Sequence, residues 1–231
     1  MKKNLLLIGG SYGIGLEIAK QLKDEYSVIV ASRTSEGLPN GVQHLEFDVQ
    51  TDDINSLDLP DIIDGFVYCP GSINLRPFKM LKPEAFQKDM EINFMGMIRC
   101  VHGILPRLNQ AENPSIVLFS TVAVKVGMPF HTSIAAAKGA VEGFAKSLAA
   151  EYAPKLRVNV IAPSLTDTPL AGKLLSSEEK KEKMGQRHPL KRVGTVHDIA
   201  STAVFLLKEE SSWMTGQILG VDGGMSTLNV H

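Results

Sequence analysis

The sequence has little that would direct it to a nucleic acid, a metal or a disulfide-stabilised fold. Its 24 Lys and Arg residues are balanced by 25 Asp and Glu, so a net charge of −1 offers no long-range attraction to a polyanion. The two cysteines, Cys69 and Cys100, are too few for a disulfide framework and too far apart for a redox or zinc pair. We therefore expect no nucleic-acid partner, no metal site and a reducing, cytoplasmic environment.

Long apolar runs are also lacking. The most apolar long stretch, 134–150, is interrupted by Lys138, Glu142 and Lys146, so we expect no membrane span. A strand-like run begins directly after Asn4, which argues against a signal peptide. With 231 residues, 44% of them hydrophobic and 21% charged, the chain has the size and composition of one globular core. We expect a single domain, 1–231.

Short apolar runs alternate with longer helical patterns along the chain. This alternation predicts an α/β fold, a doubly wound parallel sheet of the Rossmann type with helices on both faces. The expected strands are 5–8, 28–31, 45–47, 65–68, 116–119, 158–162 and 217–221. The expected helices are 14–24, 83–108, 132–153 and 197–207.

One stretch, at about 164–192, has no regular pattern. Loops of that length are usually functional, and this one carries an apolar set that can form an inner face. We interpret it as a lid over a substrate, with an ordinary surface excursion as the alternative. The apolar set is Leu170, Leu174, Leu175 and Met184.

A glycine-rich segment follows the first predicted strand and opens the first helix. Its glycines allow a tight turn, and the amides at the helix N-terminus can bind a pyrophosphate. Because the segment lies between a strand and a helix in an alternating α/β chain, we expect it to bind a dinucleotide. It consists of Gly9, Gly10, Ser11, Tyr12, Gly13, Ile14 and Gly15.

The residues after the second strand bear on the choice of cofactor. An acid there would accept a hydrogen bond from a free ribose 2′-hydroxyl, whereas a cation would pair with a 2′-phosphate. The chain has Ser32, Arg33 and Thr34 at this point and no acid. Because a guanidinium can fork onto a phosphate while hydroxyls donate to it, we expect NADP(H) to be favoured over NAD(H). The alternative is that Arg33 is a solvated surface charge.

Several segments in the correct order resemble the short-chain dehydrogenase/reductase family, in particular its 3-oxoacyl-[acyl-carrier-protein] reductase-like members, over the whole chain. The spacing of Gly9, Gly13 and Gly15 is similar to the family's nucleotide motif, although Ile8 replaces its usual threonine. Other matching segments are 157–163, 188–194, 198–200, 215–217 and 221–224. The further cofactor contacts that the resemblance implies are Asp48, Val49, Cys69, Pro70, Gly71, Asn93, Lys138, Pro163, Ser164, Thr166 and Thr168.

The expected catalytic positions depart from the family pattern. In the family a tyrosine exchanges the substrate proton, a lysine lowers the pKa of that tyrosine, and a serine holds the substrate oxygen. Lys138 matches the lysine and Asn93 a helix asparagine, but the tyrosine position, four residues before Lys138, is Ile134. Thr121 stands at the serine position and can make the same hydrogen bond. The isoleucine cannot transfer a proton.

Three interpretations follow. In the first, an active reductase reduces a small or acyl carbonyl or enoyl compound. Its proton would come from His131, from Tyr68 or from a water held by Asn93 and Lys138. A catalytically degenerate member would act as a cofactor-binding regulatory or structural subunit, and a sensor would bind NADP(H) without turnover. The substrate and the reaction direction are not encoded in any motif.

The predicted helix 132–153 carries small side chains that would allow a second helix to approach closely. The family resemblance implies a homo-oligomer, a tetramer or a dimer. The alternative is that these residues only pack on the sheet. They are Ala136, Gly139, Ala140 and Gly143.

Overall fold

The computed structural model describes residues 2–230 and contains a seven-stranded, fully parallel sheet in the order β3-β2-β1-β4-β5-β6-β7. The predicted doubly wound α/β fold is confirmed. The strands are β1 (Lys3–Ile8), β2 (Tyr26–Ser32), β3 (Gln43–Glu46), β4 (Gly65–Tyr68), β5 (Ser115–Phe119), β6 (Arg157–Pro163) and β7 (Ile218–Val221).

Helices cover both faces of this sheet and enclose one apolar core on each side. Strand β1 contributes to both cores, because successive side chains of a strand point to opposite faces. Leu6 and Ile8 join one core, whereas Leu5 and Leu7 join the other, and all four are at most 1% exposed. Each such side chain stabilises the fold by about 1.5–3 kcal/mol relative to an exposed one. The helices are α1 (Gly13–Leu22), α2 (Pro83–Met90), α3 (Gly96–Leu108), α4 (Val122–Lys125), α5 (Thr132–Tyr152), α6 (Glu178–Gly185) and α7 (Val196–Leu207).

The strand order reverses between β1 and β4. The chain leaves β1 towards β2 on one side, while β4 pairs with β1 on the other side. The loops after β1 and β4 therefore diverge and leave a crevice at the carboxyl ends of the strands, where open α/β sheets bind their ligands. Hydrogen bonds from Gly9 N to Ala31 O and from Cys69 N to Ile8 O, both 2.9 Å, fix the start of each loop.

The predicted helix 83–108 is interrupted. A π-helical turn, Glu91–Met95, separates α2 from α3, and Asn93 lies at its centre. Such turns add one residue to an α-helix and are frequent at functional sites. Apolar periodicity alone does not reveal one extra residue.

The stretch 164–192, which we predicted to be irregular, contains helix α6. Its N-terminus is capped by Ser177, whose hydroxyl accepts a hydrogen bond from Lys180 N at 3.3 Å, and Glu178 and Glu179 complement the helix dipole. The helix is highly polar and lacks the apolar periodicity by which the others were predicted.

Within residues 2–230, none of the helices combines the length and hydropathy needed to cross a membrane. Over the same range, no three His, Cys, Asp or Glu side chains come together as metal ligands.

Candidate active site

The glycine-rich loop after β1 is shaped for close contact with an anion. Gly13 has φ +59°, in the left-handed region that favours glycine, and a methyl group on Gly15 would lie 2.8 Å from Gly10 Cα. Tyr12, at the N-cap of α1, provides no side-chain hydrogen bond to the first helical amides. The first turn of α1 can therefore donate to a pyrophosphate, and the predicted loop fits a dinucleotide.

The loop after β4 packs against this glycine loop. A methyl group on Gly9 would lie 3.0 Å from Pro70 Cδ, and one on Gly15 would lie 3.1 Å from Cys69 Sγ. Burial raises the pKa of Cys69 to about 12, so its side chain is a thiol at neutral pH. Cys69 and Pro70 thus lie beside the glycine-rich loop, where Cys69 forms an uncharged wall, whereas Gly71 lies near Asn93 Oδ1 and Lys138 Nζ.

The three residues predicted at the end of β2, Ser32, Arg33 and Thr34, differ in their exposure to solvent. Arg33 and Thr34 are exposed, and Thr34 Oγ1 lies 3.1 Å from Ser11 Oγ of the phosphate loop. Ser32 is only 5% exposed, and its hydroxyl donates to Thr34 O at 2.8 Å. A 2′-phosphate here would therefore meet Arg33 and Thr34, whereas Ser32 supports the turn. His44 Nε2, which sequence reasoning missed, lies 3.0 Å from Ser32 O.

Asp48 and Val49 follow β3 at the same edge of the sheet. Asp48 Oδ1 accepts from Gln50 N at 3.0 Å, which shapes the turn. Val49 O accepts from Arg99 Nη2 at 3.0 Å, and its side chain packs near Gly96. Both residues thus follow the end of β3, which pairs with the end of β2 next to Arg33.

A cavity of about 300 Å³ lies at the other end of the cleft and is walled by all four predicted catalytic positions, Asn93, Thr121, Ile134 and Lys138. The predicted cofactor residues that also line it are Ile14, Cys69, Gly71, Pro163, Ser164, Thr166 and Thr168. The predicted cofactor residues that do not line this cavity are Gly9, Ser11, Tyr12, Gly13, Gly15, Ser32, Arg33, Thr34, Asp48, Val49 and Pro70.

Lys138 lies on the cavity side of α5, one turn after Ile134, and the two are 8% and 6% exposed. Within residues 2–230 its ammonium has neither a hydrogen-bond partner nor a salt bridge to a carboxylate, and burial lowers the pKa of Lys138 to about 8. A lysine in this state titrates close to neutral pH and can hold or release a proton there.

Asn93 is completely buried, and both hydrogens of its amide nitrogen are used. Nδ2 donates to Asp89 O at 2.8 Å, which compensates for the carbonyl displaced by the π turn, and to Ser72 Oγ at 2.9 Å. Oδ1 accepts from Ser72 N at 3.3 Å. The side chain is held rigidly at the wall of the cavity.

Thr121 caps α4 and also lines the cavity. Its Oγ1 accepts weakly from Ala123 N at 3.3 Å, so the hydroxyl hydrogen remains available to an oxygen in the cavity. The neighbouring Ser120 is committed elsewhere, because its hydroxyl donates to Glu142 Oε1 at 2.5 Å.

The structure separates the two side-chain proton donors that we considered. Tyr68 points into the core and donates its hydroxyl to Ile92 O at 2.7 Å, and burial raises its pKa well above the usual range. Of the two roles that the sequence allows for Tyr68, proton donor or core residue, the structure shows the core residue. His131 does line the cavity, partly exposed, with Nδ1 donating to Pro129 O at 2.7 Å.

The segment 164–192 supplies a large part of the cavity wall. Of its predicted apolar face, Leu170, Leu174 and Met184 line the cavity, whereas Leu175 does not. His188 is 3% exposed, its Nε2 lies 2.8 Å from Ser164 Oγ, and its Nδ1 donates to Met184 O at 3.1 Å.

Four polar residues near the cavity were not predicted as site residues: Ser72, Asp89, Ser133 and His188. Asp89 and Asn93 are four apart on a helical segment, a spacing that places them on one face, and Ser72 directly follows Gly71. These two sequence signals could therefore have identified Asp89 and Ser72. The contacts of Ser133 and His188 join distant segments, and nothing local to the sequence predicts them.

Comparisons with known proteins agree with this geometry. The family model described as Enoyl-(Acyl carrier protein) reductase matches residues 9–226. A 3-oxoacyl-[acyl-carrier-protein] reductase of Chlamydia muridarum is 30% identical, over 98% of both chains. The peroxisomal 2,4-dienoyl-CoA reductase of Saccharomyces cerevisiae is 34% identical over 155 residues, 67% of this chain and 53% of the yeast protein.

Solved structures show the same similarity over the full length. The ligand-free aldohexose dehydrogenase of Thermoplasma acidophilum superposes with a TM-score of 0.89 at 28% identity, covering 100% of this chain and 97% of that one. ElxO with NADP bound also gives a TM-score of 0.89, at 27% identity, covering 99% of this chain and 100% of that one. Since the family model spans nearly the whole chain and a relative is 30% identical over 98% of both chains, this protein belongs to the short-chain dehydrogenase/reductase family.

Proposed function

We propose that the protein is an NADP(H)-dependent oxidoreductase that reduces a carbonyl or enoyl group of a small or acyl substrate with an atypical proton donor. The observation that carries this proposal is Lys138, a buried ammonium without a carboxylate partner that lines the cavity. Burying an unpaired cation costs folding free energy, and its retention in a cavity argues for a chemical role.

The cofactor would lie along the cleft from β2 to the cavity. The first turn of α1 would bind the pyrophosphate, and Arg33 with Thr34 would bind the 2′-phosphate. Bound NADPH would supply the hydride. Pro163, Ser164 and the wall formed by Cys69 would confine its reactive end to the cavity.

The proton would come from a water held between Lys138 and Asn93. With Ile134 in the tyrosine position, no phenol separates the ammonium from the substrate side of the cavity. The ammonium of Lys138 would donate to this water, and Asn93 Oδ1 would accept from it. Because the pKa of Lys138 is about 8, the lysine is mostly protonated at neutral pH and can return the proton from solvent after each cycle.

Thr121 and the apolar lining of the cavity would position the substrate. The Thr121 hydroxyl is available to donate to a carbonyl oxygen. Much of the remaining wall is apolar and suits a hydrocarbon or acyl chain. These apolar residues include Leu75, Met128, Leu170, Leu174, Met184 and Met225.

The test is NADPH oxidation by the purified protein with simple ketones, β-ketoacyl thioesters and enoyl thioesters. We expect turnover with at least one class and its loss in Lys138→Ala. Lys146→Ala is the matched control, because Lys146 is exposed on the same helix. Turnover that persists in Lys138→Ala would contradict the proposed role of the lysine.

A second function is favoured by one observation. Ile134 is buried at the tyrosine position and cannot transfer a proton. If no other group replaces the missing tyrosine, the protein would bind NADP(H) without catalysis, as a regulatory or structural subunit or as a sensor. Absence of turnover on the whole panel, together with calorimetric binding of NADPH, would favour this role.

A further inference from the structure

The amine of Lys138 lies at the wall of a cavity and is bound to nothing there. The residue is 8% exposed and lines the cavity, and its Nζ would lie 3.8 Å from a methyl group placed on Gly71, another lining residue. Within the described residues 2–230, Nζ has no hydrogen-bond partner and forms no salt bridge. A buried polar group in this position is available to a molecule that enters the cavity.

The surroundings of Lys138 favour its uncharged form. No Asp or Glu of the described chain lines the cavity, and the other titratable groups that line it are Cys69, His131, Arg187 and His188. Cys69 is a neutral thiol at pH 7, because burial raises its pKa to about 12. Burial lowers the pKa of Lys138 to about 8. About 10% of Lys138 is therefore free amine at pH 7, against about 0.04% of an ordinary lysine.

The residue one turn before Lys138 leaves the lone pair of this amine unoccupied. Ile134 is 6% exposed and lines the same cavity. A carboxylate at this position, four residues before the lysine, would pair with the ammonium and hold it in the charged form. The isoleucine has no such group, and much of the remaining wall is apolar. A lysine desolvated in an apolar pocket is a nucleophile, and this is the state in which lysines form Schiff bases.

We propose that Lys138 also acts as a nucleophile, whose amine forms an imine with small, mainly apolar aldehydes and ketones that enter the cavity. The nitrogen lone pair attacks the carbonyl carbon, and the carbonyl oxygen takes up the proton that the nitrogen releases. The resulting carbinolamine loses this oxygen as water while the carbon–nitrogen double bond forms. One carbonyl group and one amine give one imine and one water, so the step needs no oxidant or reductant. The Thr121 hydroxyl, which also lines the cavity, can donate to the carbonyl oxygen.

Burial favours the product of this reaction as well as the reactive amine. An imine is a weaker base than the amine from which it forms, so the buried product carries no charge at pH 7 and avoids the desolvation cost of the ammonium. The inference goes beyond the proposed function. It requires neither NADPH nor hydride transfer from it, and it uses the uncharged form of Lys138, whereas the proposed reductase uses the ammonium as a proton donor.

The test traps the imine in the full-length protein without NADPH. The protein is incubated at pH 7 with butanal and cyanoborohydride, which reduces an imine to a stable secondary amine, and peptide mass spectrometry measures the rate of labelling at each lysine. We expect Lys138 to be labelled at least about tenfold faster than Lys146, which is exposed on the same helix, because far more of Lys138 is free amine. This advantage should shrink between pH 8 and about 10.4, as exposed lysines lose their protons. Equal or slower labelling of Lys138 at pH 7 would overturn the inference.

A matched pair of variants tests whether the amine must be unpaired. Ile134→Glu places a carboxylate one turn before Lys138, whereas Ile134→Gln has the same shape without the charge. Labelling of Lys138 should be at least about tenfold slower in Ile134→Glu than in Ile134→Gln, the equivalent of one unit of pKa. Lys146 should react equally in both, and thermal unfolding verifies that both are folded. Equal labelling of Lys138 in the two folded variants would contradict the inference.

The two proposals fail separately. A wild-type protein that captures butanal at Lys138 but oxidises no NADPH with any substrate would refute the proposed function alone. A wild-type protein that turns over NADPH but shows no selective labelling of Lys138 would refute the imine alone.

Discussion

His188 Nε2 lies 2.8 Å from Ser164 Oγ, and this contact joins the two ends of the proposed lid, 164–192. His188 is oriented by the bond from its Nδ1 to Met184 O, so the pair fastens the base of the segment and the C-terminal end of α6 together. We predict that His188→Ala and Ser164→Ala each lower kcat/KM by about 2–10-fold, the equivalent of one hydrogen bond of about 0.5–1.5 kcal/mol. The double variant should cost no more than either single one. Additive losses, measured by steady-state kinetics, would mean that the two side chains act separately.

Lys138→Met should stabilise the protein at neutral pH while abolishing turnover. The folded-state pKa of Lys138, about 8, lies below that of the unfolded chain, so folding must bear the cost of a buried ammonium at pH 7. We expect a gain of about 1–3 kcal/mol in the free energy of unfolding, measured with urea.

The pH dependence of that gain has a definite sign. Below pH 8 the lysine is charged in both states and the cost is fully present. As the pH rises from 8 to about 10.4 the folded state loses its proton first, wild-type stability rises relative to Lys138→Met, and the difference closes. Lys146→Met, an exposed position on α5, should show no such window. A gap that widens with rising pH would contradict the buried ammonium.

Ile134→Tyr distinguishes a relocated proton donor from a degenerate site. If the wild type is active, a second donor adds little, and crowding at this 6% exposed position should leave the rate unchanged or lower it. If the wild type is inactive, the new phenol lies one turn from Lys138, which lowers its pKa, and turnover should appear at about 10²–10⁴-fold above background. Ile134→Phe is the control, because it has the same ring without the hydroxyl. The turnover of both variants is measured from the fall in NADPH absorbance.

Arg33 should determine the preference for NADPH over NADH. One charge-assisted pair with the 2′-phosphate contributes about 1.5–3 kcal/mol, or roughly 10–100-fold in affinity. We expect calorimetry to show this preference in the wild type and its loss in Arg33→Ala, with NADH binding unchanged. Lys20→Ala, an exposed cation on the neighbouring α1, should retain the preference. Equal affinities in the wild type would refute the assignment.

The protein should form a homo-oligomer through α5. Ala136 and Gly143 are exposed in the single chain, and a methyl group on Gly143 would meet nothing within 4 Å, so these positions do not pack on the sheet. Gly143→Arg should reduce the mass measured by sedimentation equilibrium, whereas Lys146→Ala should not. A wild-type monomer at micromolar concentration would exclude the assembly.

The order of strands and helices could be predicted because strands that are buried on both faces form continuous apolar runs, which stand out from the helical patterns between them. The run at 65–68 matches β4 to the residue, since Gly65 and Cys69 bound a short, fully buried stretch. Helix α6 and the π turn could not be predicted. The first is a polar helix that depends on a cap at Ser177 and has no apolar periodicity, and the second depends on one extra residue near Asn93 that a short apolar pattern does not reveal.

The site was predicted where chemistry and local spacing coincide, as for Lys138 and Ile134 four residues apart. It could not be completed where side chains from distant segments meet. Ser133 reaches Asp89 across 44 positions and His188 reaches Ser164 across 24, and no pattern in the chain encodes either contact. The sequence left the role of Tyr68 open for a related reason, because the end of a buried strand does not reveal which sheet face the last side chain occupies.

The π turn at Glu91–Met95 makes the number of residues between Pro83 and Leu108 a geometric constant of this fold. Each residue advances a helix by about 100°, so losing a single residue before Asn93 would rotate α2 and Asp89 away from Asn93 while leaving α3 packed on the sheet. A substitution in this segment therefore affects only the helix face on which it lies. A change in the length of the segment, by contrast, alters the wall of the cavity while the sheet and its cores keep their packing.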